Sequence, residues 1–428
     1  MPPYPIRLTV AGDLRRSRLT VFFRLLLAIP HVVWLVLWTL AAIVAAVVNW
    51  FATLIGGRSP LALHRFLAAY VRYGTHLTAY LFLAANPFPG FTGTAGTYPV
   101  DLEIDPPERQ RRLVTAFRLV LVLPALALAS VLAGGAGGGG GAGTGSGTSD
   151  PDDYGSFFLQ GGGAAAVVAF FGWFASLARG RMPRGFRDLA AYGVGYSAQA
   201  LGYLFLLTDR YPNSDPAFLL RVEPVPEHPI AIAVADDQRR SRLTVLFRLL
   251  LAIPHFIWWL LWSILAFLVA IANWVATLAT GRPPRALHAF LSSFVRYGTH
   301  VSAYVSLVAN PFPGFTGPAA AYPIDLAIPA PGRQNRWITG FRLLLAIPAF
   351  VVAGALDGAL FVVAVLGWFA ALATGRMPTG LRNLGALVLR YSAQTEGYLF
   401  LLTDRYPFSS PAEPRVAPPE PPAEPAAA

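Results

Sequence analysis

Four times along the chain an aromatic-Arg-Leu opening introduces a long apolar run that closes on a Gly-Arg-x-Pro turn. The openings read FRLLLAIP at Phe23–Pro30, FRLVLVLP at Phe117–Pro124, and FRLLLAIP again at Phe247–Pro254 and Phe341–Pro348. Arg24 and Arg118 are 94 residues apart, Arg248 and Arg342 are again 94 apart, and Arg24 and Arg248 are 224 apart, so a two-unit block has itself been duplicated. This is a repeat protein. Soluble repeats do not contain apolar runs of this length, so each unit reads as a membrane unit.

Composition narrows that reading. Hydrophobic residues make up 55% of the chain and charged residues 13%, against roughly 25% charged in a globular average. All 33 basic residues are Arg, and the absence of Cys excludes disulfides, thiol catalysis and cysteine metal sites. The net charge of +11 is expected to be Arg held at the cytoplasmic face beside anionic headgroups, not a nucleic-acid surface. The first 18 residues have no apolar core of the kind a cleavable signal needs, so the first run is expected to be a permanent anchor.

From Leu25 to Gly57 the run is 33 residues. One helix of that length would reach about 50 Å, against a hydrocarbon core of about 30 Å. In the second unit the run is interrupted by a Gly-rich, acidic insert at 134–163, and in the fourth its middle carries Asp357-Gly358. Both suggest a midpoint at water, so each run is expected to fold as a helical hairpin with its tip outside. Every Arg lies outside the runs, so the connecting segments and both termini are expected in the cytoplasm. The expected fold is a mainly α, polytopic membrane protein of about eight spans, in the cell membrane. A monotopic geometry, with the arms dipping in from one face, is the rival, because Pro30 and its counterparts could kink the first arm.

Each run is preceded by a stretch of period-two alternation headed by an aromatic-Pro pair or, in the third unit, His228-Pro229; these read as four short strands able to form a small sheet or two hairpins. Each Gly-Arg turn is followed by a third helix of about 25 residues, read as amphipathic and interfacial because Arg65, Arg72 and His76 share one face. Trp50, Trp173, Trp274 and Trp368 stand seven or eight residues before the Gly-Arg turns, with Trp38 and Trp262 further out, and read as interface anchors. The units divide as 1–93, 94–220, 221–317 and 318–410, followed by a Pro-rich tail, 411–428, too poor in apolar side chains to fold.

The ordered set of YPV-type strand, FRLLLAIPH opening, Trp before the GR-x-P turn and YLFLLTDRYP ending resembles the bacterial membrane family called domain of unknown function 4389, frequent in actinobacteria and often in tandem. That resemblance implies membrane residence and brings no activity, cofactor or site residues. Units 1 and 3 depart from it, carrying Asn-Pro where Asp-Arg would stand.

The sequence offers little chemistry. Six of the seven His form a repeated set, His31, His64, His76 and His255, His288, His300, without a spacing that forces metal or haem ligation; His31 and His255 would meet only if units 1 and 3 faced each other. No nucleophile elbow, phosphate loop or paired carboxylates on one spanning face is present, so no enzyme, cofactor or metal is expected. Arg24, Arg118, Arg248 and Arg342 are candidate lipid or anion contacts, by snorkelling to phosphate or as an intramembrane cationic ring; Arg65, Arg72, Arg296 and Arg390 are candidate phosphate contacts on the third helices. The expected role is a non-catalytic protein binding anionic lipid at the cytoplasmic leaflet. The alternatives are a transporter or channel built from duplicated hairpins, and a subunit of a larger membrane complex.

Overall fold

The computed structural model describes residues 4–134, 162–220, 222–223 and 227–412. Each uninterrupted apolar run is one helix and not a hairpin: Arg24–Gly56, Arg248–Thr280 and Arg342–Thr374, of 33 residues each. These three are long and apolar enough to cross a membrane, and the expected eight-span arrangement gives way to them. Asp357 and Gly358 make no turn; they sit mid-helix, and the Asp357 carboxylate accepts a 3.4 Å bond from the Ser392 hydroxyl. The physical reason is comparative cost. A glycine inside a helix costs about 1 kcal/mol, whereas breaking the helix in apolar surroundings leaves several backbone groups unpaired at several kcal/mol each.

Unit 2 builds the same rod in pieces, Arg118–Leu121, Leu123–Ala133 and Ala164–Arg179. Gly134 and Gly163 lie so close that a Cβ added to Gly163 would stand 2.2 Å from the Gly134 nitrogen. The helix therefore resumes where it stopped, and the insert leaves and returns at one point. The tip expected at water within it falls at 135–161, outside the described residues.

The third helices are Leu61–Leu81, Arg184–Leu204, Arg285–Val305 and Thr379–Leu399, each running back along its own long helix. They do not lie in a headgroup layer. From Phe66 to Phe82 no residue is exposed, because the helix is enclosed by the long helix, by its counterpart in the neighbouring unit and by a strand. The strands pair antiparallel as two ribbons, β1 (Ile6–Val10) with β2 (Val100–Ile104) and β3 (Ala231–Val234) with β4 (Ile324–Ala327). The fold is thus layered: apolar long helices below, third helices in the middle, ribbons above.

Units 1 and 2 clasp each other reciprocally, as do units 3 and 4, in the manner of an isologous dimer. Gly57 O accepts from Gln110 N (2.9 Å), Gly180 O from Arg16 N (2.8 Å), Gly281 O from Gln334 N (2.9 Å) and Gly375 O from Arg240 N (2.9 Å). The four recurrent Trp belong to this clasp. The indoles of Trp50, Trp173, Trp274 and Trp368 donate to Thr115 O, Val21 O, Thr339 O and Val245 O, at 2.8, 2.9, 2.8 and 3.1 Å, in the opening turn of the partner unit. Each indole thereby joins its unit to the partner unit. The halves meet where the long helix of unit 4, through Val352, Leu356 and Val363, packs on that of unit 2. The end of the chain reinforces this contact, Ser410 Oγ donating to Asp188 at 2.7 Å. Pro411 and Ala412 are packed as well; the expected disordered tail lies, from 413 on, outside the described residues.

Candidate functional site

The same constellation is built four times at the C-terminal end of the third helix. A helix end presents unpaired carbonyls and negative dipole, and a cation there satisfies both. Arg24 donates to Tyr80 O and, at 3.1 Å, to Ala85 O. Arg118 reaches Tyr203 O at 3.2 Å and Thr208 O at 3.0 Å; Arg248 reaches Tyr304 O, and Ala309 O at 3.0 Å; Arg342 reaches Tyr398 O and Thr403 O, both at 3.0 Å. Each guanidinium also lies over the ring of that same tyrosine, 3.9 to 4.3 Å from its centre. All four are buried, at 2% exposure or less. Neither snorkelling to phosphate nor a shared cationic ring describes them: each is an internal cap serving its own unit.

The carbonyls they cap belong to a turn containing a leucine at positive φ, Leu83, Leu206, Leu307 and Leu401, at 60 to 64°, a left-handed conformation costing a non-glycine residue roughly 1–2 kcal/mol. A second side chain answers each: Arg16 to Leu83 O (3.0 Å), Gln110 to Leu206 O, Arg240 to Leu307 O (2.8 Å) and Gln334 to Leu401 O (3.1 Å). These four residues escaped the sequence reading. Their signal was present as a repeated Arg-(Arg/Gln)-x-Arg tetrapeptide at 15–18, 109–112, 239–242 and 333–336.

Of the other expected lipid contacts, Arg72 and Arg296 are turned inward on carboxylates of the ribbons. Arg72 Nε is 3.5 Å from Asp101, which His76 Nε2 approaches at 2.7 Å; Arg296 and His300 meet Asp325 at 3.3 and 3.1 Å. Burial pushes Asp101 upward, but bonds from His76 and from the Gly96 and Leu102 amides outweigh it and hold the carboxyl below its ordinary range. The loop completing this site depends on Gly93 (φ 58°), where a Cβ would stand 2.2 Å from Ala69 O. In units 2 and 4 Gln199 and Gln394 replace the His and donate at 3.0 Å to Ile6 O, in β1, and to Ile230 O, just ahead of β3. Arg390 donates to Ser410 O. Arg65 keeps an exposed side chain.

His31 and His255 do not meet across an axis. Each pairs within its unit with a tyrosine hydroxyl at 2.8 Å, Tyr73 and Tyr297, and stacks on an aromatic loop residue, Phe91 and Phe315. Burial depresses His64 and His288 below the usual imidazole range, consistent with their being packed neutral.

The family model described as domain of unknown function (DUF4389) matches residues 18–92, 161–214, 242–316 and 336–410. The chain belongs to this family. Each DUF4389 match takes in a third helix with its capped C-terminal end, and three of the four begin at the opening turn, while all four strands fall outside the matches, β1 ahead of the first and the others between successive ones. No curated protein and no solved structure matches the chain.

Proposed function

We propose that this is a non-catalytic membrane protein lying in one leaflet, with its long helices parallel to the bilayer plane, on the cytoplasmic side of the cell membrane and in contact with anionic lipid. The membrane-facing surface is the apolar arc of the long helices, exposed from Leu25 (72%) through Leu40 (61%) to Ile55 (75%). The observation that carries the orientation is the place of the charged ribbons. β2 is bonded to the middle of the third helix through Arg72, beside Tyr70 and Tyr73, which reach Thr39 and His31 of the long helix. On an upright long helix, the exposed Glu103 and the half-buried Arg7 and Asp105 of the first ribbon would stand at hydrocarbon depth, at a cost of several kcal/mol. With the helices lying flat, the ribbons face water and the apolar arc enters the acyl layer. Arg at both ends of each rod supports the same reading, since an upright rod would place one end's Arg outside.

The chain has no Cys, so single cysteines report cleanly. Ser241→Cys, ahead of the long helix of unit 3, Arg282→Cys, just past its end, and Glu103→Cys on a ribbon should all react with an impermeant thiol reagent from the cytoplasmic face only. Labelling of Ser241→Cys and Arg282→Cys from opposite faces would establish a spanning helix and remove the in-plane reading.

A further inference from the structure

Where two units clasp, an antiparallel bridge sets one arginine directly opposite another: Arg15 against Arg181, Arg58 against Arg109, and Arg239 against Arg376. Side chains so paired point the same way with Cβ atoms about 5 Å apart, and like charges there are destabilising. All six are exposed, and among the described residues none of their guanidiniums makes a hydrogen bond or ion pair. At the first pair the chain forms a groove of about 480 Å³ lined by Asp13, Arg15, Arg16, Ser17, Asn86 and Arg181. Asp13 lines the groove at the first pair without an ion pair to either arginine, so an unfavourable juxtaposition repeated three times, with no ion pair to any member among the described residues, calls for an anion between the members. Exposed apolar side chains lie close by along the chain: Ile55 is three residues before Arg58, Leu113 four after Arg109 and Leu19 four after Arg15.

We infer that each cross-strand arginine pair is a binding site for one phosphate ester, gripped by two planar guanidiniums, and that the phosphate belongs to the headgroup of an acidic phospholipid. The inference rests on the in-plane reading, which sets all three pairs at headgroup level, and adds residues, stoichiometry and ligand chemistry to it. Full-length protein with one member of each pair neutralised, R15Q/R58Q/R239Q, is compared with the charge-matched control R179Q/R285Q/R405Q. Binding is read as preference for phosphatidylglycerol over phosphatidylcholine vesicles. The pair variant should lose about tenfold of that preference and the control less than about threefold, while both stay in carbonate-washed membranes. An equal loss in the two variants overturns the inference. Wild-type protein released by carbonate would instead sink the membrane seating itself. A rise in melting temperature with inorganic phosphate, in wild type but not in the pair variant and without lipid preference, would assign the sites to soluble phosphate and overturn the lipid source. R181Q alone carries the same test should the triple variant not fold.

Discussion

The four capping arginines set the residue-scale energetics. Each donates to two carbonyls at a helix end and stacks on a tyrosine in a buried place, so Arg342→Gln takes from the buried Thr403 carbonyl its donor and leaves Tyr398 O only its bond from Leu401 N. It should cost about 3 kcal/mol, measured by unfolding in detergent. Because each cap serves its own unit, Arg24→Gln and Arg248→Gln should add to within about 0.5 kcal/mol in a double-mutant cycle; a larger coupling would mean that the caps communicate. A second residue-scale effect is a carboxyl. Glu396, on the third helix of unit 4, is pushed up to about 7 by burial and then by the Asp357 carboxylate. An acid whose folded value is raised contributes stability that is full below its ordinary value near 4.5 and is lost as pH rises through about 7. The melting temperature should fall across that interval, and Glu396→Gln should flatten the fall.

At the scale of the element, the second unit shows how a long insertion is tolerated by a helix. Its apolar run is 29 residues longer than that of unit 1, yet the rod resumes with its ends in contact at Gly134 and Gly163. Deleting 135–163 and changing Gly134 to Ala restores the register of the other units. The product should keep its helical circular dichroism and melt no lower than the parent; loss of folding would show that the insert holds the two halves together. The long helices also differ in what they touch. That of unit 4 buries Leu356 (1% exposed) against unit 2, whereas Leu260 of unit 3 is 60% exposed. Leu356→Ala should cost about 2–4 kcal/mol, and Leu260→Ala less than about 0.5 kcal/mol, by thermal unfolding in detergent.

The whole molecule is a pair of pairs. Reciprocal clasps join units 1 with 2 and 3 with 4, and units 2 and 4 supply the contact between halves. Much of this was legible: the four units, the duplication, the apolar runs and the four strands all follow from spacing and period, because hydrophobic periodicity and chain reach act locally. A family match across most of units 1, 3 and 4, and over 161–214 of unit 2, agrees. The hairpin of unit 4 was misread because Asp357-Gly358 is a turn signal only when the chain is free to turn. Packing on the third helix, and on the long helix of unit 2, overrides it. The arginines were misassigned for a related reason. Sequence shows an Arg at the start of an apolar run, and snorkelling to lipid is then the obvious outlet; only the tertiary fold brings the C-terminal carbonyls of another helix within reach, 56 residues away at Tyr80, Tyr304 and Tyr398. Local patterning therefore determined the four units, their apolar runs and their strands. Which polar groups faced lipid and which faced one another was decided in three dimensions, because a charge goes to whichever partner lowers its desolvation cost most, and that partner is named by the fold.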